Sequence, residues 1–316
     1  MAINSKVFDD SSSIATAPPS QSSVFSFGRM KQKRAAVLSR IRDIVLAPNF
    51  NPSSVTPNLN ACAAALPAAE LSNILTQLNI EGHTALYWAI VNNRPQALWA
   101  FNKFISCYSP VCTSDLCIAC MITSDHAMFM QLNLGRRSEQ MRLRGLLGCP
   151  PDGIQVHTCD EFTNQFNVVL GIRMFQKRLR TATGNKWYHE FVAGGRIWWL
   201  RFKKLNESSN GIWHVDIGLC QHSEPARLNA VLLIEAHSRK PGCATPPEAL
   251  KIPLSLTDTQ FLALAPWKSP EGIDYVLPPK MTWSISKELG DWVMHNTTEY
   301  VDHEGTLHAK LEVTLL

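Results

Sequence analysis

Apolar residues recur with two different periods along the chain, and the period changes near residue 150. From Asn58 to about Leu147 they follow the spacing of short helices separated by turns. Beyond about Asp160 the runs alternate apolar and polar residues and are bounded by Gly, Asn, Ser or Pro, which is typical of antiparallel strands with one solvated face. Paired prolines in GCPPDG, residues 148 to 153, mark the boundary because they stop a helix. The pattern predicts an α+β protein with a helical half followed by a β-rich half.

The strand-like alternation is found in FNVVLGIRMF, EFVAGGRIWWLRF, GIWHVDIGL, NAVLLIEA, MTWSIS and LHAKLEVTLL. Residues 238 to 281 are rich in proline and irregular, so we interpret them as a long connection rather than a further domain.

The N-terminal segment divides into two parts. Residues 1 to 28 have too few apolar groups to offset the entropy of ordering, which predicts a disordered Ser-rich tail. From residue 29 to 47, bases alternate with apolar residues at helical spacing, which predicts a basic amphipathic helix that caps the next domain. A nuclear-import or membrane-surface role for KQKR is the alternative. The apolar stripe of this helix is Val37, Leu38, Ile41, Ile44 and Val45.

Composition narrows the class of protein. The chain has 316 residues, 45% of them hydrophobic, so it is long enough for two domains with sizeable cores. Six bases and no acid fall between residues 29 and 42, while the whole chain carries a formal charge of +4, so the excess of bases is local rather than a nucleic-acid surface. No run is apolar and long enough for a membrane span, and the N-terminus lacks a signal core, which predicts a cytoplasmic or nuclear protein.

The segment EGHTALYWAIVNNRPQALWAF, residues 81 to 101, predicts a helix, a turn and a second helix. Thr84 is placed to cap a helix over residues 84 to 92 whose buried face presents Leu86 and the small Ala89. Asn93 suits the left-handed turn that follows, and Pro95 suits the first turn of a helix over residues 95 to 103. Facing back onto the first helix are Leu98 and Phe101.

This unit resembles an ankyrin repeat, because GHTALYWA stands where that family has G-x-T-P-L-H-x-A. Ala85 and Tyr87 replace the Pro and His of the family pattern. SDLCIACMITSDHAMFMQL repeats the pattern with Ser114 as the predicted cap, and LNACAAALPAAELSNIL precedes it as a degenerate unit. The resemblance implies an ankyrin-like helical stack over residues 58 to 147, with a surface for partner proteins.

FVAGGRIWWL, residues 191 to 200, is interpreted as one strand with a bulge at its paired glycines. It resembles the F-x-V-G-G-x-x-W-x-L strand of MATH domains, which are TRAF-like antiparallel β-sandwiches. The resemblance implies a MATH-like sandwich over residues 155 to 316 that recognises short peptides, with Trp198 as a core anchor. The residues that match the pattern are Phe191, Gly194, Gly195, Trp198 and Leu200.

Catalytic and metal-binding patterns are weak. The sequence contains no G-x-S-x-G, H-E-x-x-H or phosphate-binding G-x-x-x-x-G-K-[ST] motif. A zinc interpretation of the cluster around residues 107 to 126 is disfavoured, since only one pair has the two-residue gap of a zinc knuckle and no second pair follows. We therefore predict no cofactor and no metal. The cluster consists of Cys107, Cys112, Cys117, Cys120 and His126.

The sequence is interpreted as a non-enzymatic adaptor that binds peptide segments of other proteins, with no membrane partner. Two alternatives stay open. One is an enzyme, for example a Cys/His hydrolase, whose site is assembled only in the fold. The other is a single-stranded nucleic-acid module that stacks bases on the basic aromatic strips RMFQKRLR, 173 to 180, and RIWWLRFKK, 196 to 204, although the solvated reverse of a core strand is the simpler reading.

Overall fold

The computed structural model describes residues 21–135, 138–158, 164–182, 186–205, 212–237, 248–257, 260–263, 281–295 and 297–316. Most of the predicted tail, residues 1–20, and most of the predicted connection lie outside the described residues. Within the described part, a series of helices precedes the first strand, and antiparallel sheets dominate the rest. The α+β prediction and its order along the chain are confirmed.

Eight helices precede the first strand in the described ranges. None of the helices described is long and apolar enough to span a membrane. The first begins within the predicted tail, before the predicted start at Arg29, and it buries Val37, Ile41 and Val45 of the expected apolar stripe. The helices are α1 Gln21–Leu46, α2 Pro52–Ala65, α3 Ala68–Thr76, α4 Ala85–Val91, α5 Pro95–Asn102, α6 Pro110–Ile122, α7 His126–Gln131 and α8 Ser138–Leu147.

The turn before α4 and the pair α4–α5 carry the residues singled out in the sequence. Glu81 and Gly82 have positive φ values of 52° and 80°, as a tight hairpin turn requires. Thr84 then caps α4, because its hydroxyl oxygen accepts a hydrogen bond from the Tyr87 N–H at 3.0 Å. Asn93 takes the left-handed conformation, with φ 50°, before α5 begins at Pro95. Fully or almost fully buried between these helices and their neighbours are Leu86, Ala89 and Leu98.

The next helix pair, α6 and α7, has the same left-handed turn between its helices, but its first helix begins at a different residue from the one predicted. Ser124, with φ 50°, takes the left-handed position between α6 and α7. The predicted cap at Ser114 is wrong, because Ser109 caps α6 and accepts a hydrogen bond from the Cys112 N–H at 3.1 Å. Pro110 suits the first turn, where its missing N–H costs nothing, so the helix begins there.

The strands of the described residues are β1 Gly153–Thr158, β2 Gln165–Ile172, β3 Lys186–Ala193, β4 Arg196–Lys204, β5 Trp213–Leu219, β6 Leu228–Ile234, β7 Leu250–Ser255, β8 Phe261–Leu262, β9 Met281–Thr282, β10 Ser284–Glu288 and β11 Leu307–Leu315. They form two antiparallel sheets and one short parallel pair, β8 with β9. The five-stranded sheet has the order β1-β2-β11-β6-β7, and the four-stranded sheet has the order β10-β5-β4-β3.

The inner faces of the two sheets share one hydrophobic core. Alternate residues of the longer strands contribute to it, as the period of two requires. The largest fully buried side chains of this core are Phe166, Phe175, Trp187, Phe191, Trp198 and Phe202.

The interpretation of FVAGGRIWWL as one bulged strand is wrong, since it is a hairpin. β3 ends at Ala193, β4 begins at Arg196, and Gly194 and Gly195 form the turn with φ values of 54° and 68°. Two consecutive positive φ values define the hairpin turn that matches strand twist, whereas a bulge needs only one such residue. The turn pairs Phe191 with Trp198, so both face the core.

The strip RMFQKRLR is not a strand. After Met174, with φ 49°, the chain forms α9, Phe175–Thr181. Phe175 and Leu179 stand one turn apart and are fully buried, so their spacing satisfies a helix rather than a sheet face. One of the two surfaces on which the nucleic-acid alternative depended is therefore absent.

The predicted connection between residues 238 and 281 contains β7, which pairs with β6. Pro253 lies in the middle of this strand. Proline donates no hydrogen bond, and it is tolerated here because β7 is at the edge of the sheet. The prolines that suggested irregular structure thus include one that protects a sheet edge.

The helical half packs on the outer face of the four-stranded sheet. Val192 of β3 and Ile197 of β4 belong to the same hydrophobic cluster as α1 to α7. The Gly195 N–H donates to the Ser124 hydroxyl at 3.2 Å, and Ser114 lies 2.7 Å from the His222 ring nitrogen. This contact covers the end of the sheet near the Gly194–Gly195 turn.

Candidate binding site

The outer faces of the two sheets each contain a glycine position, and the two positions differ in what lies over them. On the four-stranded sheet, Trp199 of β4 is paired with Gly218 of β5, and its indole lies where a glycine side chain would project. A Cβ at Gly218 would clash with the Trp199 ring. The Arg201 guanidinium lies 4.8 Å from the same ring, and Tyr188 stacks beside it at 6.2 Å. The glycine position on this face is therefore filled by the chain itself.

The charges on that face are also paired within the protein. The Asp216 carboxylate is fully buried and accepts hydrogen bonds from Arg201 at 2.7 Å and Ser286 at 2.6 Å. The Lys203 ammonium lies 2.9 Å from the same carboxylate. Because these groups satisfy each other, they supply little unpaired polarity for a ligand.

The five-stranded sheet has a glycine pair with nothing over it. Gly153 of β1 and Gly171 of β2 are directly paired, and neither has a positive φ. A Cβ at Gly153 meets no atom within 4 Å, and one at Gly171 comes no nearer than 3.6 Å to any. Neither backbone conformation nor crowding therefore requires glycine here, although glycine weakens a strand by about 0.5–1 kcal/mol relative to alanine. A glycine in a strand often marks the close approach of another molecule.

The missing side chains leave a pocket of about 320 Å³ on the outer face of this sheet. Its floor is the backbone of β1 and β2, and its walls come from β1, β2, β11 and the turn before β11. The lining residues are Gly153, Gln155, Val169, Leu170, Gly171, Arg173, Asp302, Glu304, Thr306 and His308.

An acid–histidine pair forms one wall of the pocket. His308 is the β11 partner of Gly171, and its Nε2 lies 3.0 Å from Oδ2 of Asp302. Oδ1 of Asp302 accepts hydrogen bonds from the backbone N–H groups of Thr306 at 2.8 Å and Glu304 at 2.9 Å. Burial alone would raise the pKa of Asp302, but these hydrogen bonds and His308 outweigh it and hold the pKa below its usual value.

The lowered pKa of Asp302 predicts acid sensitivity of this wall. A carboxyl group with a depressed folded-state pKa stabilises the fold above its unfolded pKa of about 3.9, and this contribution is lost as the pH falls through the folded value. We expect Asp302→Asn to lower the free energy of unfolding at pH 7 and the difference from wild type to shrink at pH 3. Urea unfolding at both pH values measures this. A difference that is the same at both would contradict the assignment.

β1 is an edge strand with little protection. In the described part of the chain it pairs only with β2, and Gly153, Gln155 and His157 are exposed. It carries neither proline nor lysine, which commonly block edges. The opposite edge of the sheet, β7, has both, in Pro253 and Lys251. The least protected edge of this sheet therefore borders the pocket.

Three cysteines of the cluster, all on α6, have thiols that burial makes unreactive. Cys112 and Cys117 lie on α6, where burial raises the pKa of each thiol to about 12. Burial also raises the pKa of Cys120, so these thiols are protonated at neutral pH and are poor nucleophiles. Among the described residues, no three His, Cys, Asp or Glu side chains come together as a metal site.

The structure places the predicted site residues in the cores rather than at the pocket. Thr84, Leu86, Ala89 and Leu98 lie in the helical half. Phe191, Trp198 and Leu200 lie between the sheets. The pocket residues were missed, although an isolated glycine in the strand pattern NVVLGI, at Gly171, was the available signal.

No family model matches this chain, and no curated protein sequence matches it. The fold and the site therefore define only a class: an α+β protein with a helical half packed on two antiparallel sheets. Its glycine-floored pocket adjoins an exposed strand edge.

Proposed function

We propose that this protein is a non-enzymatic adaptor that binds an extended segment of a partner protein along β1. The observation that carries the proposal is the exposed edge of β1 beside the pocket over Gly153 and Gly171. A strand added to this edge can pair with the outward N–H and C=O groups of β1. Every second side chain of the added strand then lies over the outer face of the sheet, where the pocket can bind one of them and so determine which sequences bind.

The two family resemblances support the same function. In this proposal the helices are an ankyrin-like stack, and the paired sheets are a MATH-like sandwich. The Thr84 cap and the left-handed Asn93 and Ser124 are features that favour a repeated helix–turn–helix unit. Both families recognise other proteins, so the stack offers a second surface for a partner.

The chemistry of the pocket also favours binding over covalent catalysis. Asp302 and His308 form a pair, but none of the described residues that line the pocket is a serine, cysteine or lysine. The hydroxyl in this described lining belongs to Thr306, which is buried. An acid–histidine pair without an adjacent nucleophile lacks the arrangement that nucleophilic catalysis requires.

A peptide library displayed against the full chain tests the proposal. We expect hits that share a linear motif and bind in an extended form. N-methylation of a hit at successive positions should abolish binding at alternate residues only, since alternate N–H groups pair with an adjacent strand. Hits that tolerate N-methylation at every position, or a library without specific hits, would contradict binding along β1.

Proline variants of β1 give a matched test from the protein side. Consecutive residues direct their N–H groups to opposite sides of a strand, so one of Gln155 and Val156 points its N–H to the exposed edge. Proline at that residue should abolish peptide binding with little loss of stability, as proline is tolerated at edges. Proline at the other should break pairing with β2 and lower the melting temperature. If both variants fold and bind normally, β1 is not the docking edge.

A further inference from the structure

On the four-stranded sheet, an aromatic side chain of the protein itself covers a glycine of the neighbouring strand. Trp199 lies over its cross-strand partner Gly218, and its Nε1–H donates to the Leu219 carbonyl at 3.2 Å. An aromatic side chain opposite a glycine compensates for the missing side chain by covering the exposed backbone. The Arg201 guanidinium, two residues along the strand from Trp199, lies over the same ring.

Gly153 has no aromatic residue of the described chain over it. Its partner on one side is Gly171, and its other side faces the exposed edge of β1. Opposite residues of paired strands project from the same face of a sheet. A residue of an added strand that pairs with Gly153 would therefore place its side chain over Gly153, as Trp199 does over Gly218.

We infer that the segment bound along β1 carries an aromatic residue, Trp or Tyr, opposite Gly153, and that the pocket is the seat of its ring. This inference rests on the proposed function and names the chemistry of the partner. A flat ring covers the backbone of two adjacent glycines at once, which a branched aliphatic side chain does not.

The walls of the pocket match the polar parts of such a ring. Arg173 follows the last residue of β2, two residues beyond Gly171, and can supply a cation for the ring face. The Glu304 carboxylate at the rim can accept a hydrogen bond from an indole N–H or a phenol O–H.

Small aromatic amides test the seat independently of any peptide. N-acetyl-tryptophanamide and N-acetyl-tyrosinamide should give saturation-transfer NMR signals with the full chain, and N-acetyl-leucinamide should not. Gly153→Val should abolish the aromatic signals, because a β-branched side chain suits the strand but occupies the seat. Thr158→Val on the same strand is the matched control and should leave them unchanged. Equal signals from all three amides, or aromatic signals that survive Gly153→Val, would overturn the inference.

The peptide hits separate this inference from the proposed function. An aromatic residue should recur at one position, and its replacement by leucine should weaken binding about tenfold or more, as expected for a central aromatic anchor. Hits that show alternate N-methyl sensitivity but carry no aromatic residue there would overturn the aromatic seat and leave binding along β1 intact. Aromatic amides that bind through Gly153 while no peptide binds would support the seat and contradict the proposed function.

Discussion

Trp198→Ala is expected to lower the free energy of unfolding of the two-sheet half by about 3–5 kcal/mol. The Trp198 side chain is fully buried, pairs with Phe191 across the β3–β4 hairpin and lies 5.8 Å from the Phe166 ring of the opposite sheet. Its Nε1–H donates to the Ala193 carbonyl at 2.9 Å. The substitution removes contacts with both sheets and leaves a cavity that neighbouring rings cannot fill. Urea unfolding followed by near-ultraviolet circular dichroism measures the loss.

Two variants make this measurement specific. Trp198→Phe keeps most of the apolar contact, so it should cost less than Trp198→Ala. Trp99→Ala changes a tryptophan that is 39% exposed on α5, and it should have a much smaller effect. A loss below about 1 kcal/mol for Trp198→Ala would show that the inner faces are not packed as described.

Leu86→Ala is expected to lower the free energy of unfolding of the helical half by about 2–5 kcal/mol. Leu86 is fully buried on α4, in the cluster that includes Leu98 of α5 and Leu116 of α6. Since Val192 and Ile197 of the sheet belong to the same cluster, loosening it should also expose the end of the sheet it covers. Chemical denaturation gives the energy, and amide hydrogen exchange of β3 and β4 reports the coupling.

Leu78→Ala is the control for this second prediction, because Leu78 is 46% exposed between α3 and α4. Its cost should stay near the small values of surface substitutions, within about 0.5 kcal/mol. If Leu86→Ala costs no more than this control, Leu86 does not lie in the helical core and the helix–turn–helix unit is wrong.

Local physical chemistry explains where the sequence was sufficient. The change from helical to alternating periodicity located the boundary near residue 150, since burial on one face imposes each period directly. The positions of Thr84, Asn93 and Pro95 agree with a cap, a left-handed turn and a helix start, because those features depend on a few neighbouring residues. Even here the predicted cap at Ser114 is wrong, since the nearby Ser109 offers the same capping oxygen and precedes the proline at which α6 begins.

Long-range pairing explains where the sequence was insufficient. Paired glycines suit a bulge and a hairpin equally, and only the pairing of Phe191 with Trp198 distinguishes them. RMFQKRLR carries helical and strand-like spacings together, and burial of Phe175 and Leu179 against the sheets selected the helix. In both cases tertiary packing, rather than local preference, determines which element forms.

The pocket is the clearest example of a feature that only the tertiary structure decided. The sequence by itself predicted a strand in FNVVLGI, residues 166 to 172, interrupted by a glycine, whereas it placed Gly153 in a boundary segment outside any predicted strand. It did not determine that Gly153 faces Gly171, or that β11, from the far end of the chain, places His308 beside them with Asp302. Hydrogen bonding between strands distant in sequence sets these neighbours, and a one-residue shift in register would move every side chain to the other face. The seat over the glycines therefore exists only in the folded sheet.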